Sequence, residues 1–342
     1  MNILVTGGAG YIGSHAVQRL LRDGHSVIAL DNLFRGHIEA MEALKPESDG
    51  RLHFVKGDIG DRPHVEELMR KHAIEAVLHF AALAYVGESV TQPLRYYRNN
   101  AASALALLEA CEAAGVTKFV FSSTCATYGE PAEQFIPIPE TCPQRPINPY
   151  GQSKLHVEHM LFDHAAAKKI ANQPFAFAAL RYFNVAGSDR TGLIGEHHEP
   201  ETHLIPVILQ AILGQRESLT VFGTDYPTPD GTCIRDYVHV EDLIDAHVRV
   251  LGALKFGDTR TYNLGIGRGY SVREIITAAK RVTGRDFKII EGPRRPGDPP
   301  RLYADPSKIK RELGWAASIT DLNEIIATAW KWFQKNPRGY GT

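Results

Sequence analysis

Tyr150 and Lys154 stand four residues apart in Asn-Pro-Tyr-Gly-Gln-Ser-Lys (148–154), downstream of a glycine-rich turn at Gly7, Gly10 and Gly13. A phenol and an ammonium so placed can move a proton while a nicotinamide cofactor moves a hydride. Asn148 can cap a helix and Pro149 suits its first position, so Tyr150 begins the first turn. Residues i and i+4 of a helix share a face, and both side chains then point into one site. A free phenol titrates near ~10, so useful phenolate near neutrality needs a drop of roughly 3 units, or about 4 kcal/mol. A neighbouring ammonium and a cationic nicotinamide ring would supply that stabilisation together. The pair alone occurs on many surface helices by chance; the glycine turn gives it meaning.

The turn sits where a dinucleotide-binding unit needs it. Asn2 to Thr6 reads as a buried strand, and Gly7-Gly-Ala-Gly10-Tyr-Ile-Gly13 follows at once. Tyr11 to about Arg22 has helical apolar spacing, and a second apolar run, Ser26 to Leu30, ends in Asp31. Strand, glycine turn, helix, strand and acid is the required order. The glycines let the backbone approach a pyrophosphate resting on the helix N-terminus. Asp31, 18 residues past Gly13, can accept from both adenosine ribose hydroxyls and would repel a ribose phosphate, which favours NAD over NADP. The spacing G-x-x-G-x-x-G, unlike G-x-G-x-x-G, points away from lactate-type dehydrogenases.

Further apolar runs at His53–Lys56, Ala76–Phe80, Lys118–Ser122 and Phe177–Tyr182 alternate with helical stretches. That alternation predicts an α/β fold, a doubly wound parallel sheet of Rossmann type. Cofactors bind beyond the carboxyl ends of such strands. Asp58 follows the third strand, where it would meet the adenine. Phe80-Ala81-Ala82 follows the fourth, and small side chains there let a cofactor lie close to the backbone. The fifth ends in a hydroxyl cluster, Ser122, Ser123 and Thr124, positioned to orient a substrate beside Tyr150.

Length and charge narrow the class. The 342 residues suit one large or two medium domains, with 38 basic against 39 acidic side chains and no basic block to grip nucleic acid or an anionic membrane. No run approaches the ~20 apolar residues of a membrane span. The first residues read as a core strand, so no signal peptide is expected. Cys111, Cys125, Cys142 and Cys233 lack paired or metal-type spacing, which suits free thiols in the cytosol. No metal is expected: the Glu196-His-His-Glu199 stretch reads as a solvated loop, with no element to fix ligand geometry.

Beyond about Gly187 the texture changes to segments rich in Gly, Pro, Asp and Thr. Residues 1–187 are expected to form the cofactor domain and residues 188–342 a smaller mixed α/β substrate domain closing over it. Asp236–His247 and Thr261–Gly265 read as a helix and a strand returning to the main sheet, so parts of 236–267 would join the first domain. Arg235, Arg294 and Arg295 are bidentate cations of the kind that grip a nucleotide diphosphate.

At this point the motifs meet a known family. Thr-Gly-Gly-Ala-Gly-Tyr-Ile-Gly-Ser-His (6–15), His-Phe-Ala-Ala (79–82), Phe-Ser-Ser-Thr-Cys-Ala-Thr-Tyr-Gly (121–129), Asn-Pro-Tyr-Gly-Gln-Ser-Lys (148–154) and Arg-Tyr-Phe-Asn-Val-Ala-Gly (181–187) come first. The run from Asp225 to Val240, Arg-Arg-Pro-Gly-Asp (294–298) and Glu-Leu-Gly-Trp (312–315) follow. Nearly end to end, the chain resembles the UDP-glucose 4-epimerases of the extended short-chain dehydrogenase/reductase superfamily. The 225–240 segment is the part most particular to hexose 4-epimerases.

The resemblance implies inversion at C4 of a UDP-hexose through a transient 4-ketone, because the C4–H is not acidic enough for simple deprotonation. By analogy Tyr150 takes the hydroxyl proton, NAD takes the C4 hydride, Lys154 lowers the Tyr150 pKa and holds the nicotinamide ribose, and Thr124, a serine in many relatives, bonds O4. Cofactor contacts carry over to Gly7, Gly10, Tyr11, Ile12, Gly13, Asp31, Asn32, Asp58, Ile59, Phe80, Ala81, Ala82, Asn99, Ser122, Tyr150, Lys154 and Tyr182. Asn184, Leu204, Phe222, Arg235, Arg295 and Asp298 match positions lining the UDP or sugar site. Leu302 matches a gate at the C2 substituent, where tyrosine excludes N-acetyl sugars and a small residue admits them; leucine there implies some activity on UDP-GlcNAc and UDP-GalNAc. Ala84 departs from relatives with a lysine near the pyrophosphate. The family also implies a homodimer packed through helices near Ala101–Ala114 and Tyr150–Ala166. Other readings are a UDP-pentose or uronate 4-epimerase, a 4,6-dehydratase, which would carry Asp-Glu where this chain has Cys125-Ala126, and a redox-sensing NAD binder, which would have lost the Tyr/Lys pair.

Overall fold

The computed structural model describes residues 1–295 and 298–341. Its first six strands are β1 (Asn2–Thr6), β2 (Ser26–Asp31), β3 (Leu52–Lys56), β4 (Ala76–His79), β5 (Lys118–Ser122) and β6 (Ala176–Tyr182). Short strands β7 (Asn184–Ala186), β8 (Leu219–Phe222), β9 (Ile234–Arg235) and β10 (Tyr237–His239) precede β11 (Thr259–Leu264). The last are β12 (Tyr270–Ser271), β13 (Ile289–Gly292) and β14 (Arg301–Leu302).

Seven strands form one parallel sheet in the order β11-β6-β5-β4-β1-β2-β3. Both faces are covered, so the strands read as nearly unbroken apolar runs. Alternate residues still divide between faces: Ile3, Val5, Val27 and Ala29 enter one core, while Leu4, Ile28, Leu30 and Val77 enter the other. The strand order reverses at β1, between β2 and β4, which opens a crevice beyond their carboxyl ends.

The remaining strands form three small sheets, β7 with β10, β8 with β13, and β9 between β12 and β14. A third core joins Ile205, Ile208 and Leu209 to Ile275, Ile325 and Trp332. The helix expected from Asp236 begins at Val240, because Tyr237–His239 forms β10 beside β7 and the His239 ring accepts the Glu241 N–H to cap the helix. Among the described residues no helix is long and apolar enough to cross a membrane.

Candidate active site

A cleft opens at the strand-order reversal, and the glycine turn forms its floor. Gly7 has φ +70°, and a Cβ there would stand 2.7 Å from the Ala81 nitrogen. A Cβ at Gly13 would reach 2.0 Å from the Gly7 carbonyl oxygen, so turn and helix could not pack with any side chain present. Gly10 differs: a Cβ would meet only that carbonyl, at 3.3 Å, and would otherwise fill the cleft. Gly10 also begins the helix Tyr11–Arg22 with no side-chain cap. First-turn amides without an internal partner and a bare backbone cradle fit a pyrophosphate.

Asp31 ends β2 on the cleft wall, where its carboxylate accepts the N–H groups of Ala9 (3.1 Å) and Leu33 (2.8 Å). Burial raises its pKa and those two bonds oppose the rise. Asn32 donates to Asp58 at 2.9 Å, which joins two of the expected cofactor contacts. Tyr11, Ile12, Ile59, Phe80, Ala81, Ala82, Asn99 and Tyr182 line the same cleft. Ser122 stands behind it and is hydrogen-bonded to the Tyr182 hydroxyl at 2.5 Å.

Thr124, Tyr150 and Lys154 face this cleft from two elements. The helix Pro149–Ile170 starts as its sequence dictates: the Asn148 side chain accepts the Gly151 N–H at 2.8 Å, with Pro149 in the first turn. Thr124 follows β5, and its Oγ1 accepts the Ala126 N–H at 3.1 Å, which leaves its own O–H to donate. Burial raises the Tyr150 pKa, Tyr182 adds to the rise, and Thr124 opposes it. Lys154 donates to the Ser122 carbonyl at 2.8 Å, and its ammonium stands 4.8 Å from the centre of the Phe121 ring. Burial lowers its pKa to about 7, against the pull of Glu158. Desolvation therefore moves both pKa values away from phenolate and ammonium, and at Tyr150 the Thr124 hydrogen bond works against it.

Of the expected substrate residues, Thr124 and Asn184 line the cleft. Leu204 begins the helix Leu204–Ile212 immediately after His203, a cleft residue. Arg235, Phe222, Arg295 and Asp298 form two contacts of their own: Arg235 is ion-paired with Asp298, and the Arg295 guanidinium lies 4.0 Å from the Phe222 ring centre. Leu302 packs on a small cluster that includes Tyr128 and Phe183. Pro296 and Gly297 of the 294–298 motif lie outside the described residues.

Two groups on the cleft wall escaped the sequence reading. Arg35, four residues past Asp31, donates to the Glu199 carbonyl, pairs with Glu88 at 3.3 Å and lies over the Tyr85 ring at 4.6 Å. It lines the same cleft as Ala84. The second group overturns the solvated-loop reading of 196–199. Glu196 is only 5% exposed and its carbonyl accepts the Trp332 indole N–H at 3.1 Å. Glu199 points out, while His198 gathers with Glu196, Glu201 and His203. The burial comes from Trp332, over 130 positions away in the chain. The Glu/His composition of 196–203 was the signal available.

The chain matches the NAD dependent epimerase/dehydratase family over residues 3–265. A UDP-glucose 4-epimerase of Lacticaseibacillus casei is 46% identical over 100% of this chain and 99% of that protein. A probable UDP-arabinose 4-epimerase of Oryza sativa subsp. japonica is 48% identical over 100% of this chain and 84% of its own length. The crystal structure of a UDP-glucose-4-epimerase from Stenotrophomonas maltophila, with bound NAD and formylated UDP-arabinopyranose, is similar at a TM-score of 0.92 and 43% identity, covering 99% of both chains. A family model that matches residues 3–265 and relatives 46–48% identical over the whole chain show that the protein belongs to the NAD dependent epimerase/dehydratase family.

Proposed function

We propose that the protein inverts C4 of a UDP-hexose, interconverting UDP-galactose and UDP-glucose through a transient 4-keto sugar. The observation that carries this reading is the convergence of Thr124, Tyr150 and Lys154 on the cleft that holds the glycine cradle and Asp31. When bound there, NAD supplies the hydride acceptor and donor. Tyr150 takes the proton of the C4 hydroxyl and returns it after the sugar has turned its other face. Thr124 donates to O4, and Lys154 keeps two ammonium hydrogens free for ribose hydroxyls beyond its bond to Ser122. Arg235 and Arg295 grip the UDP diphosphate while the sugar stays loosely held, which rotation between half-reactions requires.

Residues 1–187 with parts of 236–267 hold the cofactor in this reading, and residues 188–342 hold UDP. The parallel pairing of β11 with β6 supports that division. Exposed Leu105 and Phe162 on the helices Ser103–Ala114 and Pro149–Ile170 support a homodimer packed there. Four free cysteines suit the cytosol.

Incubation with UDP-galactose is expected to yield UDP-glucose with no net release of NADH, as followed by product chromatography and absorbance near the NADH band. A 6-deoxy-4-keto product, or binding without turnover, would refute the assignment. UDP-GalNAc and UDP-arabinose assayed alongside set the breadth. Leu302→Tyr is expected to abolish N-acetyl activity and spare UDP-galactose turnover. Unchanged activity on both sugars would remove Leu302 as the gate.

A further inference from the structure

Glu196, His198, Glu201 and His203 each offer one ligand atom, and these atoms all lie within 4.8 Å of one another. The His203 Nδ1 is 3.0 Å from a carboxylate oxygen of Glu196 and 3.0 Å from one of Glu201. The His198 Nδ1 is 3.3 and 3.5 Å from oxygens of the same two acids. A tetrahedral ion with bonds of ~2.0–2.1 Å to nitrogen and oxygen has ligand–ligand edges of about 3.3 Å. The four nitrogen–oxygen distances, 3.0 to 3.5 Å, straddle that figure, with both Glu201 oxygens in use, and all the ligand atoms lie within 4.8 Å. The His198 Nδ1 is buried, and neither nearby carboxylate is aligned to hydrogen-bond with it.

The ligands are also held from behind, as hydrogen bonds to the ligating groups orient them in metal sites. Glu201 accepts the backbone N–H groups of Thr202 (2.7 Å) and His203 (2.8 Å) through one oxygen, and its other oxygen faces His198. Trp332 fixes the backbone at Glu196. Two carboxylates and two neutral imidazoles sum to two negative charges, which one divalent cation cancels. We propose that these four side chains bind one divalent transition-metal ion of the zinc type. All four positions come from protein, so the ion is structural in character and ties the 196–203 segment beside the cofactor cleft, which Glu196, His198 and His203 line.

The test uses the full chain, stripped with a chelator and dialysed. Zinc added back is expected to bind at one ion per chain by mass spectrometry of the metal and to raise the melting temperature. Cobalt(II) in its place should give the intense visible bands of four-coordinate nitrogen–oxygen ligation. Loss of a group that merely hydrogen-bonds a ligand costs ~10–100-fold in metal affinity, so Glu201→Gln and His203→Gln, which alter ligands themselves, should each weaken zinc binding at least ~100-fold. Should those variants fail to fold, the cobalt spectrum of the unaltered protein decides. A six-coordinate spectrum, thiolate bands from the cysteines, less than one tenth of an ion per chain, or variants that bind zinc as tightly as the parent would each overturn the proposal.

Discussion

Tyr150→Phe should keep the fold and the bound NAD yet lower turnover of UDP-galactose by at least ~10²-fold, the usual scale for losing a general base. The ring stays, so its edge-on contact with Tyr96, at 6.4 Å between centroids, survives. Only the hydroxyl goes, and it is the one titrating oxygen on the helix Pro149–Ile170 that the cleft receives. Turnover and NAD content measured on one preparation separate the two roles. Near-normal turnover would exclude Tyr150 from the proton transfer, and loss of NAD together with activity would make it a binding residue. The effect should be large because burial raises the pKa of this phenol in the protein alone. Phenylalanine has no group that could take the proton.

The largest expected loss of stability lies one helical turn beyond Lys154. The Glu158 carboxylate meets the Arg181 guanidinium at 2.5 Å, and their side chains are 1% and 4% exposed. Ser123 donates to Glu158 at 2.5 Å, and Arg181 donates to the Tyr128 hydroxyl at 2.9 Å. Tyr128 in turn donates to Asn263 at 2.7 Å, so the network links the ends of β5, β6 and β11 to the helix that carries Tyr150. Glu158→Ala leaves a guanidinium buried without its counter-charge and is expected to destabilise the protein by about 3–5 kcal/mol. Replacing both partners, as in Glu158→Leu with Arg181→Met, should recover part of that loss, since apolar pairs of similar volume often match a buried ion pair. Urea unfolding of the single and double variants measures this. A single-variant loss below about 1 kcal/mol would show that water or another anion compensates Arg181.

The main sheet and the helix of the Tyr/Lys pair were legible in the sequence for physical reasons. Strands covered on both faces need apolar side chains at almost every position, so β1, β2 and β5 stand out as short runs. The Asn148-Pro149 start is written in local hydrogen bonding and backbone angle, which need no distant partner. Elements made by distant contacts were harder to read. β9 and β14 are two residues each and exist because Ile234 and Arg235 pair with Arg301 and Leu302. Tyr237–His239 shares apolar spacing with the helix that follows, and only its pairing with β7 separates the two. The 196–203 segment has no regular structure of its own, so its burial under Trp332 could not be read locally.

The placement of β11 also bears on how the chain is made. Synthesis delivers β6 long before its outer neighbour, and everything from β7 through the helix Val240–Ala253 must leave the ribosome in between. Throughout that interval the nascent sheet carries an open edge on a strand whose interior, Phe177 to Leu180, is wholly apolar. Such an edge can pair with another chain. The stretch of translation from Tyr182 to Leu264 is therefore when this edge stands open, and a nonsense product ending within it would keep the edge exposed to pairing with another chain.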